Sequence, residues 1–124
     1  MSLIEKTMKM KNWAVVGATT KETRYGYKIV KKLNENNYNV FPVNPKFEEV
    51  NGLKCYDDLN SIDSQIDVVD MVVNPKTGIK VMKEINKIGI KYVWLQPGTR
   101  SQEIRDFAAE NDIELVESCI YANL

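Results

Sequence analysis

Apolar positions along this chain switch between two spacings. Trp13-Ala-Val-Val-Gly17 is an unbroken apolar run closed by glycine, which predicts a buried strand. From Tyr25 the period lengthens. Tyr27, Val30 and Leu33 fall on one helical face, and Asn36-Asn37 ends that helix. Tyr38–Val43 predicts a second strand, closed by Asn44-Pro45. Pro42 has no ladder donor, so the strand end must already have left the sheet. Lys46–Gly52 reads as loop or a short turn, Leu53–Tyr56 as a short edge strand, and Asp57-Asp58-Leu59 opens a turn. Asp67–Val73 is a third apolar run, ended by Asn74-Pro75. Ile79, Met82, Ile85 and Ile88 mark a helix that Gly89 stops. Ile90–Leu95 predicts a fourth strand, ended by Gln96-Pro97-Gly98. Ile104, Phe107 and Ala108 mark a third helix, capped by Thr99 or Ser101 with Glu103 in its first turn. Ile113–Val116 predicts the last strand.

Strands that are apolar throughout, joined by helices, imply a parallel sheet covered on both faces. With no internal repeat and no Pro/Gly/Ser linker, residues 1–124 read as one domain. The expected class is α/β: a three-layer Rossmann-like fold, its mostly parallel sheet holding five or six strands. Such sheets bind ligands outside the carboxyl ends of their strands, where the strand order switches. Four loops rich in Gly, Pro and Asn fall at that edge: Gly17–Arg24, Val43–Lys46, Asn74-Pro75 and Gln96–Gly98.

Composition narrows the chemistry. The 124 residues include 17 basic and 17 acidic side chains and no histidine. A formal net charge of zero argues against nucleic acid as the main partner, because duplex binders carry a basic excess. The lack of histidine removes most zinc sites, serine–histidine and cysteine–histidine relays, and any phosphohistidine step. No apolar run approaches a membrane span, and Met1–Lys11 has no apolar region of the signal-peptide kind. Cys55 and Cys119 form no CxxC, and two reduced thiols in a cytoplasmic protein are expected. The zero charge hides a gradient: residues 1–35 hold eight basic and three acidic residues, whereas residues 101–124 hold one basic and six acidic. A basic front suggests an anion near the first loop.

The first loop, Gly17-Ala-Thr-Thr-Lys-Glu-Thr-Arg-Tyr-Gly26, is not G-x-G-x-x-G. Its amides and the following helix N-terminus can still hold phosphate oxygens. The second strand discriminates further. An NAD site expects an acid at its end for the ribose hydroxyls, but this strand ends Val43-Asn44-Pro45-Lys46. Lys46 favours a ribose phosphate instead, which fits coenzyme A and, on charge alone, nearly as well NADP.

Taken together, these stretches resemble a known family. Trp13-Ala-Val-Val-Gly-Ala-Thr19, Gly26-Tyr27, Tyr38-Asn-Val-Phe-Pro-Val-Asn-Pro-Lys46, Ile66-Asp-Val-Val-Asp70, Val93-Trp-Leu-Gln-Pro-Gly98 and the ending near Cys119 span residues 13–120 in order. They are similar to the small CoA-binding proteins, single Rossmann-like domains like the CoA-binding domain of the succinyl-CoA synthetase α subunit. Lys21-Glu22 stands where many members have a proline, and Ser118 where many have a basic residue. The resemblance implies coenzyme A or an acyl-CoA as ligand. Gly17, Ala18, Thr19 and Thr20 should meet its phosphates, with Arg24 as charge partner and Gly26 in the matching motif. Val43, Asn44, Pro45 and Lys46 should flank the adenosine and its 3′-phosphate. Asn74, Pro75, Gln96, Pro97 and Gly98 should border the pantetheine path. The CoA ligases that contain this domain relay phosphate through a histidine outside it, a step unavailable to a chain without histidine.

The remaining candidates read more simply. Cys119 reads as a small buried residue, and Trp13 and Trp94 as core. Asp67 and Asp70, three apart on a strand, point to opposite faces and make a poor acid/base pair. Lys31-Lys32 and Lys80, Lys83, Lys87 read as outer helix faces. The expected function is CoA or acyl-CoA binding without catalysis. The alternatives are an NAD(P)-binding redox sensor or small reductase, and an interaction module with a vestigial nucleotide pocket.

Overall fold

The computed structural model describes residues 1–124. In chain order its elements are α1 (Leu3–Met8), β1 (Asn12–Val16), α2 (Tyr25–Glu35), β2 (Asn39–Val43), β3 (Glu49–Val50) and β4 (Leu53–Lys54). There follow a 3₁₀ turn at Leu59–Ser61, then β5 (Val68–Met71), α3 (Pro75–Ile88), β6 (Tyr92–Leu95), α4 (Gln102–Glu110), β7 (Glu114–Val116) and α5 (Ile120–Asn123). Five strands form one parallel sheet in the order β2-β1-β5-β6-β7. This is a Rossmann-like α/β fold. Chain progress reverses between β1 and β5, because the chain runs outward to β2 and then crosses back. The crevice of a doubly wound sheet opens at that reversal.

Both sheet faces are buried, which is why the strands read as continuous apolar runs. Alternate residues feed two cores. Ala14, Val16, Val69, Met71, Val93 and Leu95 pack on one side with Met82 and Ile85 of α3 and Ile104 of α4. Trp13, Val15, Val68 and Trp94 pack on the other with Ile29, Val30 and Leu33 of α2 and Ile120 of α5. Trp13 and Trp94 are fully buried and meet edge to face at 5.7 Å. The helix ends follow the expected signals. Ser101 Oγ accepts from Ile104 N to cap α4, and Gly89 closes α3 at φ 94°.

The structure departs from the pattern-based reading in several places. Pro42 stays within β2, opposite Val15, instead of lying beyond the sheet. It is tolerated because β2 is an edge strand. Its carbonyl accepts from Tyr56 N, so its missing N–H also points outward, away from β1. Leu53–Tyr56 is not an edge strand of the main sheet. Leu53–Lys54 pairs antiparallel with Glu49–Val50, inside the stretch expected to be loop, and only Tyr56 bridges to Val43. Helices α1 and α5 carried no periodic signal, being six and four residues long. Cys119 is half-buried at the start of α5, not core. Lys32 does more than face solvent. Its Nζ donates to the Tyr121 carbonyl at 3.0 Å and sits 4.2 Å above that ring, tying α5 to α2.

Candidate functional site

An open cleft of about 970 Å³ lies at the carboxyl ends of β1, β2 and β5, at the reversal of strand order. Its volume sits at the upper end of the roughly 300–1,000 Å³ typical of small-molecule sites. The rear wall is built by close approach. A Cβ at Gly17 would come within 2.9 Å of the Val72 backbone, and Gly17 itself holds φ 103°. Gly26, in the first turn of α2, packs against the Gly17 carbonyl. Only glycine at both positions lets the helix start this close to the strand end.

The two helices that open onto the cleft differ at their N-termini. In α3 the side chain of Asn74 caps its own helix, accepting from Thr77 N at 3.0 Å, with Pro75 at the first position. In α2 the cap residue is Arg24, whose side chain makes no capping bond, and the first turn has no acid. The backbone N–H groups of Tyr25 and Gly26 meet no acceptor in the chain. A helix end with free amides and no acid favours an anion.

Charge at the cleft is one-sided. Lys21, Arg24 and Lys46 line it, and no aspartate or glutamate does. None of the three cations has an ion-pair partner, since the chain's only ion pairs join Arg100 and Arg105 to Glu117. A molecule of zero net charge thus presents a cleft of three uncompensated positive charges.

Asn44 organises the floor of the cleft. Its Nδ2 donates to the Ala18 carbonyl at 2.9 Å, and its Oδ1 accepts from Lys46 N at 2.9 Å. One side chain therefore fixes the spacing between the first loop and the loop carrying Lys46. Beneath it, the buried Cys55 thiol contacts the Asn44 carbonyl at 3.5 Å, and burial pushes that thiol up, keeping it protonated.

Of the residues singled out from sequence, Gly17, Thr19, Arg24, Gly26, Asn44, Lys46 and Asn74 are brought together as cleft lining. Thr20, Pro45 and Pro75 lie beside it without lining it, and Ala18 and Val43 are buried behind it. The Gln96–Gly98 turn belongs to β6, one strand further out, and does not line the cleft. Gln96 is turned into the core, where its Nε2 donates to Asp70. The lining also includes Lys21 and Thr23, which lie within the first named loop but were not singled out, and Tyr25, Phe47, Val72, Val73 and Thr77, which pattern reading missed. The last five adjoin the named loops in sequence. Extending each loop into the first turn of its helix would have found Tyr25 and Thr77.

Residues 11–124 match the family described as CoA binding domain. The chain belongs to that family. Among curated proteins, this CoA binding domain is 34% identical over 104 residues to an ADP-forming acetate–CoA ligase of Methanocaldococcus jannaschii. That alignment covers 84% of this chain but only 15% of the ligase. Solved structures of similar size also match. A hypothetical protein from Pyrococcus horikoshii OT3 is 38% identical at a TM-score of 0.91, covering 96% of this chain and 84% of that one. A conserved hypothetical protein from Pyrococcus furiosus is likewise 38% identical at a TM-score of 0.87, covering 93% of this chain and all of that one. No cluster of three or more acidic, cysteine or histidine side chains is placed to hold a metal, and no helix is long and apolar enough to cross a membrane.

Proposed function

We propose that this CoA binding domain holds coenzyme A or an acyl-CoA in the β1–β5 cleft and performs no catalysis of its own. The observation that carries this reading is the acid-free cleft with three unpaired cations beside an uncapped helix. The diphosphate takes the free Tyr25 and Gly26 amides, with Lys21 and Arg24 supplying charge. Lys46, fixed by Asn44 at the end of β2, takes the ribose 3′-phosphate. Phe47, Val72 and Val73 give the adenosine apolar surface. The pantetheine arm leaves past Asn74. Family membership favours this reading over NADP, which places a comparable charge on the ribose.

A thermal-shift panel of CoA, acetyl-CoA, dephospho-CoA, NADP and NAD tests the proposal. The expected order puts CoA and acetyl-CoA first, with a clear fall for dephospho-CoA. Stabilisation by NAD alone would reject the reading. Silence from all five ligands would mean the pocket is vestigial and the domain acts through protein contacts.

A further inference from the structure

Helix α2 carries a tyrosine on each flank of its buried stripe. At about 100° per residue, Tyr27 falls on one side of Gly26, Ile29, Val30 and Leu33, and Tyr25, Lys28 and Lys32 fall on the other. Tyr27 turns towards β2 and its hairpin neighbours. Its hydroxyl donates to Asn51 Oδ1 at 3.4 Å, in the turn between β3 and β4. Tyr25 turns the opposite way and meets α5. That helix follows β7 after three residues, and β7 ends the sheet far from β2, so α5 reaches α2 from the β7 side. The rings of Tyr25 and Tyr121 meet edge to face with centroids 6.0 Å apart, and Lys28 Nζ lies 5.5 Å from the Tyr25 centroid. Lys32 holds Tyr121 in turn, through its carbonyl and its ring. Tyr25 is nevertheless 55% exposed. The chain exposes four large side chains with apolar bodies, Met1, Ile4, Tyr25 and Ile88, and of these only Tyr25 lines the cleft. A fixed aromatic ring open to a polar cleft offers contact area to an apolar group of the ligand.

We propose that the Tyr25 ring packs against the dimethyl head of the pantetheine arm and is a specificity-determining residue of the cleft. The inference rests on the CoA reading given above. On that reading the diphosphate sits on the Tyr25 and Gly26 amides, and the adenosine lies on the Lys46 side, towards β2. The Tyr25 ring leaves the same residue as one of those amides but leans away from β2. It therefore stands beyond the diphosphate, on the side opposite the adenosine. The first branch point of coenzyme A beyond the diphosphate is a carbon bearing two methyl groups, the one apolar branch of an arm otherwise made of amides and a hydroxyl. The arm then passes between Tyr25 on the α2 side of the sheet and Asn74 on the α3 side, both of which line the cleft. Tyr121 and Lys28 hold the ring beforehand, so binding removes little further rotamer freedom from it. Tyr121 is thus a positioning residue, acting on the ligand through Tyr25.

Titration calorimetry on the full chain tests this with two ligands, CoA and adenosine 3′-phosphate 5′-diphosphate. The second keeps every phosphate of CoA and lacks the arm. Tyr25→Ala leaves the backbone amide in place and removes only the ring. It should weaken CoA about five- to tenfold, the effect of returning roughly 40–55 Å² of apolar surface to water, and leave the nucleotide within about twofold. Tyr25→Phe keeps the ring and should match the parent chain for both ligands. Tyr121→Ala frees the ring, and should weaken CoA by about two- to fivefold while sparing the nucleotide. A merely structural role for either tyrosine would weaken both ligands together. Equal losses for the two ligands, or no loss for either, therefore overturn the inference. So does a parent chain that binds the nucleotide as tightly as CoA, which would leave the phosphate site standing without a contact to the arm. A parent chain that binds neither ligand ends the CoA reading itself, and this inference with it.

Discussion

Gly26 packs on the carbonyl oxygen of Gly17 so closely that a methyl group at position 26 would overlap it. This contact sets where α2 begins relative to β1, and hence where the free amides of Tyr25 and Gly26 point. Gly26→Ala forces α2 away from the strand. The helix gains up to about 1 kcal/mol in propensity, but overpacking costs about 1–3 kcal/mol. The expected outcome is a small net loss of stability and a much larger loss of CoA binding. Titration calorimetry beside thermal unfolding checks it. Unchanged affinity would show that the helix N-terminus does not hold the ligand.

On the proposed reading, Lys46 distinguishes ligands that differ only in the ribose phosphate. Its backbone is pinned by Asn44 Oδ1, while its side chain faces the cleft without an acidic partner. A charge-assisted hydrogen bond is worth about 1.5–3 kcal/mol, roughly ten- to a hundredfold in affinity. Lys46→Glu should therefore weaken CoA by at least that factor and barely change dephospho-CoA. Equal losses for both ligands would remove Lys46 from the 3′-phosphate.

The Asn44–Lys46 turn also marks how far the sequence alone reaches. The strands were legible because burial on both faces leaves them apolar throughout, and α2 to α4 because each buries a single stripe. The first loop and Lys46 were legible because glycine and a missing acid carry chemical meaning by themselves. Gln96 was misplaced because a polar residue after a strand looks like a ligand contact, and nothing local reveals that its partner is Asp70 on the next strand. Helix α1 escaped because it is held by tertiary contacts: Thr7 to Trp94, and the Met8 carbonyl to the Tyr38 hydroxyl.

Thr7 gives a direct measure of how α1 is anchored. Its hydroxyl accepts from Trp94 Nε1 at 2.9 Å, with both side chains fully buried. Thr7→Val keeps the shape but strands the indole N–H without an acceptor. That should cost about 1–3 kcal/mol. Urea unfolding followed by tryptophan fluorescence gives the number, and hydrogen exchange should show α1 opening before the sheet. A variant as stable as the parent would mean that the indole finds another acceptor.

Asp70 supplies a pH test with a definite sign. It lies fully buried between Val15 and Trp94, with Gln96 Nε2 on one oxygen and no partner on the other. Burial raises its carboxyl well above the usual 3.8, against the smaller opposing effect of the Gln96 hydrogen bond. A folded-state value above the unfolded one means that the native chain holds a proton which the unfolded chain releases. Below about pH 4 both states are protonated, and burial carries no ionisation penalty. As pH rises from there towards the folded-state value, the unfolded state is favoured by up to about 1.4 kcal/mol per pH unit for this one group. Asn at this position keeps an acceptor for Gln96 and cannot ionise. The stability of Asp70→Asn relative to the parent should therefore climb from pH 4 upward and level off once Asp70 ionises in the folded chain. Comparing the two chains at each pH cancels the other carboxylates. A difference that stays constant between pH 4 and pH 8 would show that Asp70 holds the same charge in both states.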